Sequence, residues 1–265
     1  MIYEVKDLYF AYQQHKVLKG VTFSADLGDF ICLLGENGAG KTTLFRCMLG
    51  LLKGYQGEIL IEGESLKRFS VRQLAKKIAY IPQAHAPTFN YTVAQTVLMG
   101  ASVQLNRFRT PGKQEEKLVE ENLERLGISH LAQRGYAEIS GGERQLVLIA
   151  RALAQQSKML VMDEPTANLD YGNQIRVMQQ IQTLAGEGYL VLLSTHNPEH
   201  ALLYSDKVLV LRHGKTDLFG KTREILSESV VTELYNIPVK IHEIETDSGT
   251  LPVCAPGKWS REKKV

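Results

Sequence analysis

At 265 residues the chain lies near the upper size of one compact domain. Its 44% hydrophobic and 23% charged residues are those of a globular protein and exclude disordered and fibrous classes. The net charge of +2, from 31 basic and 29 acidic side chains, is too small to hold a polyanion non-specifically, which argues against general nucleic-acid binding. Cys32, Cys47 and Cys254 are too scattered for a disulfide framework or a zinc cluster and read as small apolar side chains. Met1–Tyr9 carries three charges and no apolar signal core, so no export is expected. No run of 18 apolar residues offers a membrane span. The expectation is a soluble protein of a reducing compartment.

In chain order, Ile2–Tyr9, Val21–Ala25 and Glu58–Ile61, with glycine-rich turns between them, read as an antiparallel β layer. Phe30–Leu34 reads as a buried strand, followed by helix-like sequence over Leu44–Leu49. Lys77–Ile81 is the next strand candidate. From about 92 to 155 the period becomes helical, with Val119, Leu123 and Leu126 at i, i+4 and i+7. Asn106–Lys113 interrupts that pattern as an exposed loop. Three further strands, Met159–Met162, Tyr189–Ser194 and Lys207–Leu211, are almost continuously apolar, as strands covered on both faces are. Beyond 222 the signals weaken, and Pro238, Gly249, Pro252, Pro256 and Gly257 punctuate short segments. The alternation predicts an α/β protein with a mainly parallel sheet, an N-terminal antiparallel β subdomain, a helical insertion at about 84–155, and a C-terminal extension over 222–265.

Gly35-Glu36-Asn37-Gly38-Ala39-Gly40-Lys41-Thr42-Thr43 fits G-x-x-x-x-G-K-[ST] in full, between an apolar strand and a helix. The glycines let backbone N–H groups close on phosphate oxygens, and the helix that follows adds the positive end of its dipole. Lys41 supplies a full charge to the β and γ phosphates, and the Thr42 hydroxyl is a natural Mg²⁺ ligand. A chance glycine-rich turn lacks that flanking strand and helix. Met159–Met162 leads into Asp163 and Glu164. Adjacent residues at a strand end point in different directions, so Asp163 can hold Mg²⁺ while Glu164 polarises the water that attacks the γ-phosphate. These motifs predict a site for a nucleoside triphosphate and Mg²⁺.

Ile139-Ser140-Gly141-Gly142-Glu143 precedes Asp163 by about twenty residues; Gln83 follows one strand, and His196 follows another. With Ala167-Asn168-Leu169-Asp170, this ordered set resembles the ATP-binding cassette (ABC) ATPases over about 1–220. The resemblance implies a P-loop NTPase (RecA-like) core, with 1–221 as the ATPase domain. It further implies that Tyr12 stacks on adenine, that Gln83 reaches Mg²⁺ and the attacking water, and that His196 contacts the γ-phosphate. Asp170 would sit on a loop crossing to a second copy, and Ser140, Gly141, Gly142 and Glu143 would clamp the ATP held by that copy in a homodimer. Ser140-x-x-Glu143 before Leu146–Ala150 also reads independently as a capping box, whose two glycines leave N–H groups uncovered for an anion. Ile139 and Glu143 stand where Leu and Gln are commoner.

Within that family, a single cassette excludes tandem translation factors, and the lack of a long heptad run excludes coiled-coil chromosome proteins. Ser70–Gln83, Tyr91–Gly100 and Leu234–Val239 are similar to importers of iron-siderophore, haem and cobalamin type. Gln145–Ala152 is similar to their oxyanion-transporting relatives, which leaves the cargo open. The resemblance implies integral-membrane permease partners, indirectly a substrate-binding protein, and a peripheral position on the cytoplasmic side of the membrane. The segment 84–110, with Phe89, Tyr91, Arg107, Phe108 and Arg109, is the expected permease groove. The alternative is a soluble ABC ATPase of iron–sulfur cluster assembly. A P-loop kinase or GTPase is disfavoured, because no Asn-Lys-x-Asp guanine reader occurs and Ser140–Glu143 and His196 would be left without a task.

Overall fold

Every side chain of Phe30–Leu34 is buried, and this strand is the spine of the molecule. The computed structural model describes residues 1–83, 91–105, 109–247 and 249–257. In chain order the first elements are β1 (Tyr3–Tyr12), β2 (His15–Ala25), β3 (Phe30–Leu34), α1 (Lys41–Met48), β4 (Gln56–Ile61), β5 (Glu64–Ser65), α2 (Val71–Lys77) and β6 (Ile78–Ile81). Helices α3 (Val93–Ala101), α4 (Lys113–Arg125) and α5 (Gly141–Ala154) form the insertion. The core resumes with β7 (Met159–Asp163), α6 (Tyr171–Gly186), β8 (Leu190–Thr195), α7 (Pro198–Tyr204), β9 (Lys207–Arg212) and β10 (Lys215–Lys221). After α8 (Thr222–Ile225) and α9 (Glu228–Tyr235), the hairpin β11 (Val239–Thr246) and β12 (Gly249–Pro256) completes the described chain.

The central sheet runs β10-β9-β3-β8-β7-β6, parallel except for β10, which pairs antiparallel with β9. The second sheet, β2-β1-β4-β5, is antiparallel. Strand periodicity sends alternate residues of β3 to different cores. Ile31 and Leu33 pack with the antiparallel layer and α1, whereas Phe30, Cys32 and Leu34 join the core containing residues of α5, α6 and the insertion. The α/β architecture with its inserted helices is the one the sequence predicts.

Several boundaries differ from those expectations. The helix α2 occupies Val71–Lys77, so Lys77 closes a helix and does not open β6. A capping box between Ser70 and Gln73 starts α2, and the chain passes into β6 without a loop. The edge strand β10 has no clear sequence signal because all seven of its residues stay partly or fully exposed. Residues 106–108 of the expected loop, and 84–90 of the expected permease groove, lie outside the described residues. Arg109–Gly112 is irregular, as expected, while Lys113 opens α4. The weakly signalled C-terminal stretch is ordered as a hairpin in register from Val239↔Pro256 to Thr246↔Gly249. It is tied back to the core by the Cys254 N–H, which donates to Glu199 Oε1 at 3.2 Å, and by Glu228, which pairs with Lys240 at 2.7 Å and accepts from the Ile241 N–H.

Candidate nucleotide and hydrolysis site

The loop from Gly35 to Gly40 leaves the C-terminal end of β3 and enters α1, the place in an open α/β sheet where ligands bind. Gly40 caps α1 at φ 103°, a left-handed conformation that glycine adopts without strain. A Cβ there would also lie 3.1 Å from Leu18 and 3.3 Å from Val17. At Gly35, a Cβ would lie 2.6 Å from the Leu211 carbonyl oxygen. Glu36, Asn37 and Gly38 are exposed on the outer turn, and Ala39 is buried beneath it. Lys41 is only 7% exposed. Its Nζ donates to the Gly35 carbonyl at 2.6 Å and to the Glu36 carbonyl at 3.3 Å. Burial pulls the Lys41 ammonium below its usual pKa, against the opposing pull of the Glu164 and Asp163 carboxylates. Around this loop lies a pocket of about 210 Å³, lined among others by Val17, Lys41, Thr42, Thr43 and Glu164.

Asp163 and Glu164 separate as adjacent strand-end residues do. Asp163 is the last residue of β7 and pairs in register with Ser194 of β8. The Ser194 hydroxyl donates to Asp163 Oδ1 at 2.6 Å, and Tyr80 reaches Oδ2 at 3.5 Å. Glu164 leaves the strand at φ 47°, outside the region that non-glycine residues prefer. Its N–H donates to Ser194 at both the hydroxyl, 3.0 Å, and the carbonyl, 3.2 Å. The turned carboxylate stands between two basic groups. Lys41 Nζ is 4.0 Å from Oε1, and His196 Nδ1 is 3.6 Å from Oε2. A second pocket of about 310 Å³ adjoins Glu164 and is lined by Gln83, Asn168, Thr195, His196 and His200. Lys41, Thr42 and Glu164 thus line one pocket and Glu164, Gln83 and His196 the adjoining one, with the Asp163 carboxylate held by Ser194 at the neighbouring strand end.

The remaining sequence candidates lie elsewhere. Tyr12, at the β1–β2 turn, is 41% exposed, and its ring meets Phe10 edge-on at 4.9 Å. Among the described residues, Val17 of β2 lines the phosphate pocket and Tyr12 of β1 does not. Ser140 caps α5 by the expected box: Glu143 N–H donates to Ser140 Oγ at 3.3 Å, and Ser140 N–H donates to Glu143 Oε2 at 2.7 Å. Hydrogen bonding from Ser140, through its hydroxyl and its N–H, holds the Glu143 carboxyl below its usual pKa. One expectation is corrected here. Only Gly141 of the two glycines is open, because Gly142 is buried against Asn173. Asp170 caps α6, accepting from the Asn173 N–H at 2.9 Å and from Asn173 Nδ2 at 2.6 Å. None of Ser140–Glu143 lines either pocket around Lys41 and Glu164.

Sequence reasoning missed Ser194, Thr195, Asn173 and His200. Ser194 ends the strand candidate Tyr189–Ser194 and Thr195 stands between it and His196, and that adjacency was the available signal. Asn173 and His200 carry no motif, and only packing reveals them.

The family model for the ABC transporter matches residues 18–167, more than half of the chain. The chain belongs to the ABC transporter family. An ABC transporter ATP-binding protein of Haemophilus influenzae, itself uncharacterized, is 40% identical over 92% of this chain and 93% of its own length. The molybdate import ATP-binding protein MolC of the same organism is 35% identical over 89% and 88%. A solved structure, described as an inward-facing conformation of a metal-chelate type ABC transporter, shares 32% identity with a TM-score of 0.86, covering 97% of this chain and 98% of that one. As an ABC ATP-binding protein, the chain binds ATP and is an ATPase. No described helix is long and apolar enough to cross a membrane.

Proposed function

We propose that this ABC protein is the ATP-hydrolysing subunit of an importer that takes up a metal chelate (iron-siderophore, haem or cobalamin type) or a related oxyanion through partner permease subunits. In that role 1–221 is the ATPase domain, 222–265 is a C-terminal extension, and the protein sits peripherally on the cytoplasmic face of the membrane. The observation that carries the reading is the likeness to a metal-chelate type transporter, which extends over 97% of the chain. Similarity to a molybdate import protein keeps oxyanions within the cargo class.

The geometry of the phosphate loop and the family resemblance support the following roles. Lys41, already committed to the Gly35 and Glu36 carbonyls, presents its charge to the β and γ phosphates while the loop N–H groups of residues 36–40 wrap them. The Thr42 hydroxyl, the Asp163 carboxylate and the Gln83 amide oxygen are all oxygen donors, the set a hard divalent cation takes. Mg²⁺ fits there, and when bound it neutralises phosphate charge. Ser194 and Tyr80 hold the Asp163 carboxylate in place. Glu164 accepts the proton of the attacking water, and His196, with its side chain 62% exposed, meets the γ-phosphate. Tyr12 supplies the adenine platform. Ser140, Gly141, Glu143 and Asp170 face the second copy of a homodimer that encloses two ATP molecules.

A permease contact is supported by an apolar groove of about 360 Å³ between core and insertion, lined by Leu51, Val71, Leu74, Met99 and Val103. Leu51 is 60%, Val71 70% and Met99 44% exposed, and a short apolar permease helix suits such a channel. Cysteine placed at Val71 or Met99 should crosslink to a membrane subunit in cells expressing the permease. Capture of soluble proteins alone would favour the assembly-ATPase reading, in which no membrane partner exists. An unimpaired uptake of radiolabelled chelates and molybdate in a deletion strain would overturn the importer reading.

A further inference from the structure

Among the described residues the ion-pair partner of the His196 side chain is Glu164, and that side chain is 62% exposed. What aims it must therefore lie in its flanking residues. Thr195, 3% exposed, ends β8, and α7 starts at Pro198. Four hydrogen bonds close the segment between them. The Asn197 N–H donates to Thr195 Oγ1 at 3.1 Å, and Asn197 Oδ1 accepts from the Glu199 N–H at 2.9 Å. The His200 N–H donates to the Asn197 carbonyl at 3.3 Å. Finally, Thr195 Oγ1 lies 3.1 Å from His200 Nδ1.

The last contact locks the others. Thr195 Oγ1 already accepts from Asn197, which leaves its own hydrogen for an acceptor. With its proton on Nε2, a neutral His200 offers Nδ1 as that acceptor. Burial, with His196 nearby, pushes the His200 imidazole down to about 4, so it stays neutral at ordinary pH. His200 is 8% exposed and lines the same pocket as His196, Gln83 and Glu164. An ordinary buried histidine would satisfy itself anywhere; this one is bonded to the residue that immediately precedes the γ-phosphate histidine.

We propose that His200 is a positioning residue for ATP hydrolysis: through Thr195 it fixes the backbone on either side of His196 and thereby aims that imidazole at the γ-phosphate. This rests on the reading of His196 as the γ-phosphate contact. It predicts a loss in turnover and not in nucleotide affinity, because His200 touches neither the phosphate loop nor Lys41.

The test measures steady-state ATPase activity and ATP affinity of the full chain in four variants at His200 and Thr195, with His196→Ala as reference. His200→Leu removes the acceptor and should lower kcat by about 10²-fold, the scale for a misplaced catalytic group, with KM for ATP within about threefold. His200→Asn puts an oxygen where Nδ1 stood and should recover most of that loss. Thr195→Val should reproduce the Leu defect from the other side and Thr195→Ser should not, which keeps the test open if His200→Leu does not fold. In a His196→Ala background, His200→Leu should add nothing further, since it acts through the missing group. A His200→Leu protein that folds and turns over normally while His196→Ala is inactive overturns the positioning role alone. So does an Asn variant as defective as Leu, or an additive loss in the double variant. Normal turnover by His196→Ala overturns the underlying reading of His196 as well.

Discussion

A Cβ on Gly142 would lie 2.5 Å from Cγ of Asn173, the side chain whose amide holds the Asp170 carboxylate. The glycine at the start of α5 is therefore a seat for α6, and the segments expected to face a second copy pack on each other within one chain. Gly142→Ala should push Asn173 off Asp170, an overpacking that costs about 1–3 kcal/mol. Thermal unfolding should show the loss, and adding Asn173→Ala should recover part of it. An unfolding midpoint for Gly142→Ala equal to that of the wild type would contradict the packing.

Gly141 offers a cleaner probe of the composite dimer site. It is exposed, and a Cβ there meets only the end of Leu169, at 3.4 Å. Lys41→Ala and Gly141→Asp should each be inactive as homodimers, one lacking the phosphate charge and one placing a carboxylate against the partner's ATP. Mixed in equal amounts, they should recover up to roughly a quarter of intact sites, because half the dimers are mixed and each has one wild-type site. Trapped nucleotide is the readout. Trapping no greater than with either variant alone, with both folded and dimeric, would show that the site is not shared.

Glu164→Gln keeps size and hydrogen bonding but removes the charge between Lys41 and His196. ATP binding should persist while turnover falls about 10²-fold or more, the scale for a positioned base. The variant should accumulate as an ATP-bound dimer on gel filtration. Near-normal hydrolysis by the pure variant removes Glu164 from the role.

Ser194 is fully buried and serves both carboxylate residues, donating to Asp163 and accepting from the Glu164 N–H. Ser194→Ala leaves Asp163 without its shortest donor, and denaturant titration should show a stability loss of about 1–3 kcal/mol. Turnover should fall at limiting Mg²⁺ and recover in part when Mg²⁺ is raised. A drop that ignores Mg²⁺ would mean that the serine serves Glu164 alone.

The His200 imidazole also sets a pH dependence. Its folded pKa, about 4, lies below the ordinary histidine value of 6.5. The unfolded chain thus binds a proton at a pH where the folded one does not, and stability falls as pH is lowered across that window. The contribution is complete above about 6.5 and is lost as pH drops through about 4. His200→Asn cannot titrate, so the unfolding midpoint of the wild type should fall further than the variant's between pH 7 and 4.5. Parallel curves would contradict a neutral buried His200.

The phosphate loop, the acidic strand end and the order of the motifs were legible because each depends on local chemistry. Glycines at 38 and 40 permit a left-handed turn, a charged residue must follow it, and an apolar five-residue strand must precede it. The buried strands β3, β7, β8 and β9 were legible for a related reason, since strands covered on both faces admit almost only apolar side chains. The half-exposed edge strand β10 and the hairpin β11–β12 were not, because their residues meet both solvent and protein and show no clean period. Which side chains meet across the fold could not be read at all. Ser194 reaches Asp163 across 31 residues of sequence, and Asn173 reaches Gly142 across the same span. Those meetings depend on the register of β7 against β8 and on how α5 is set against α6, which the packed core decides. Sequence alone therefore determined the chemistry available to this protein, and the tertiary structure decided which residues hold that chemistry in place.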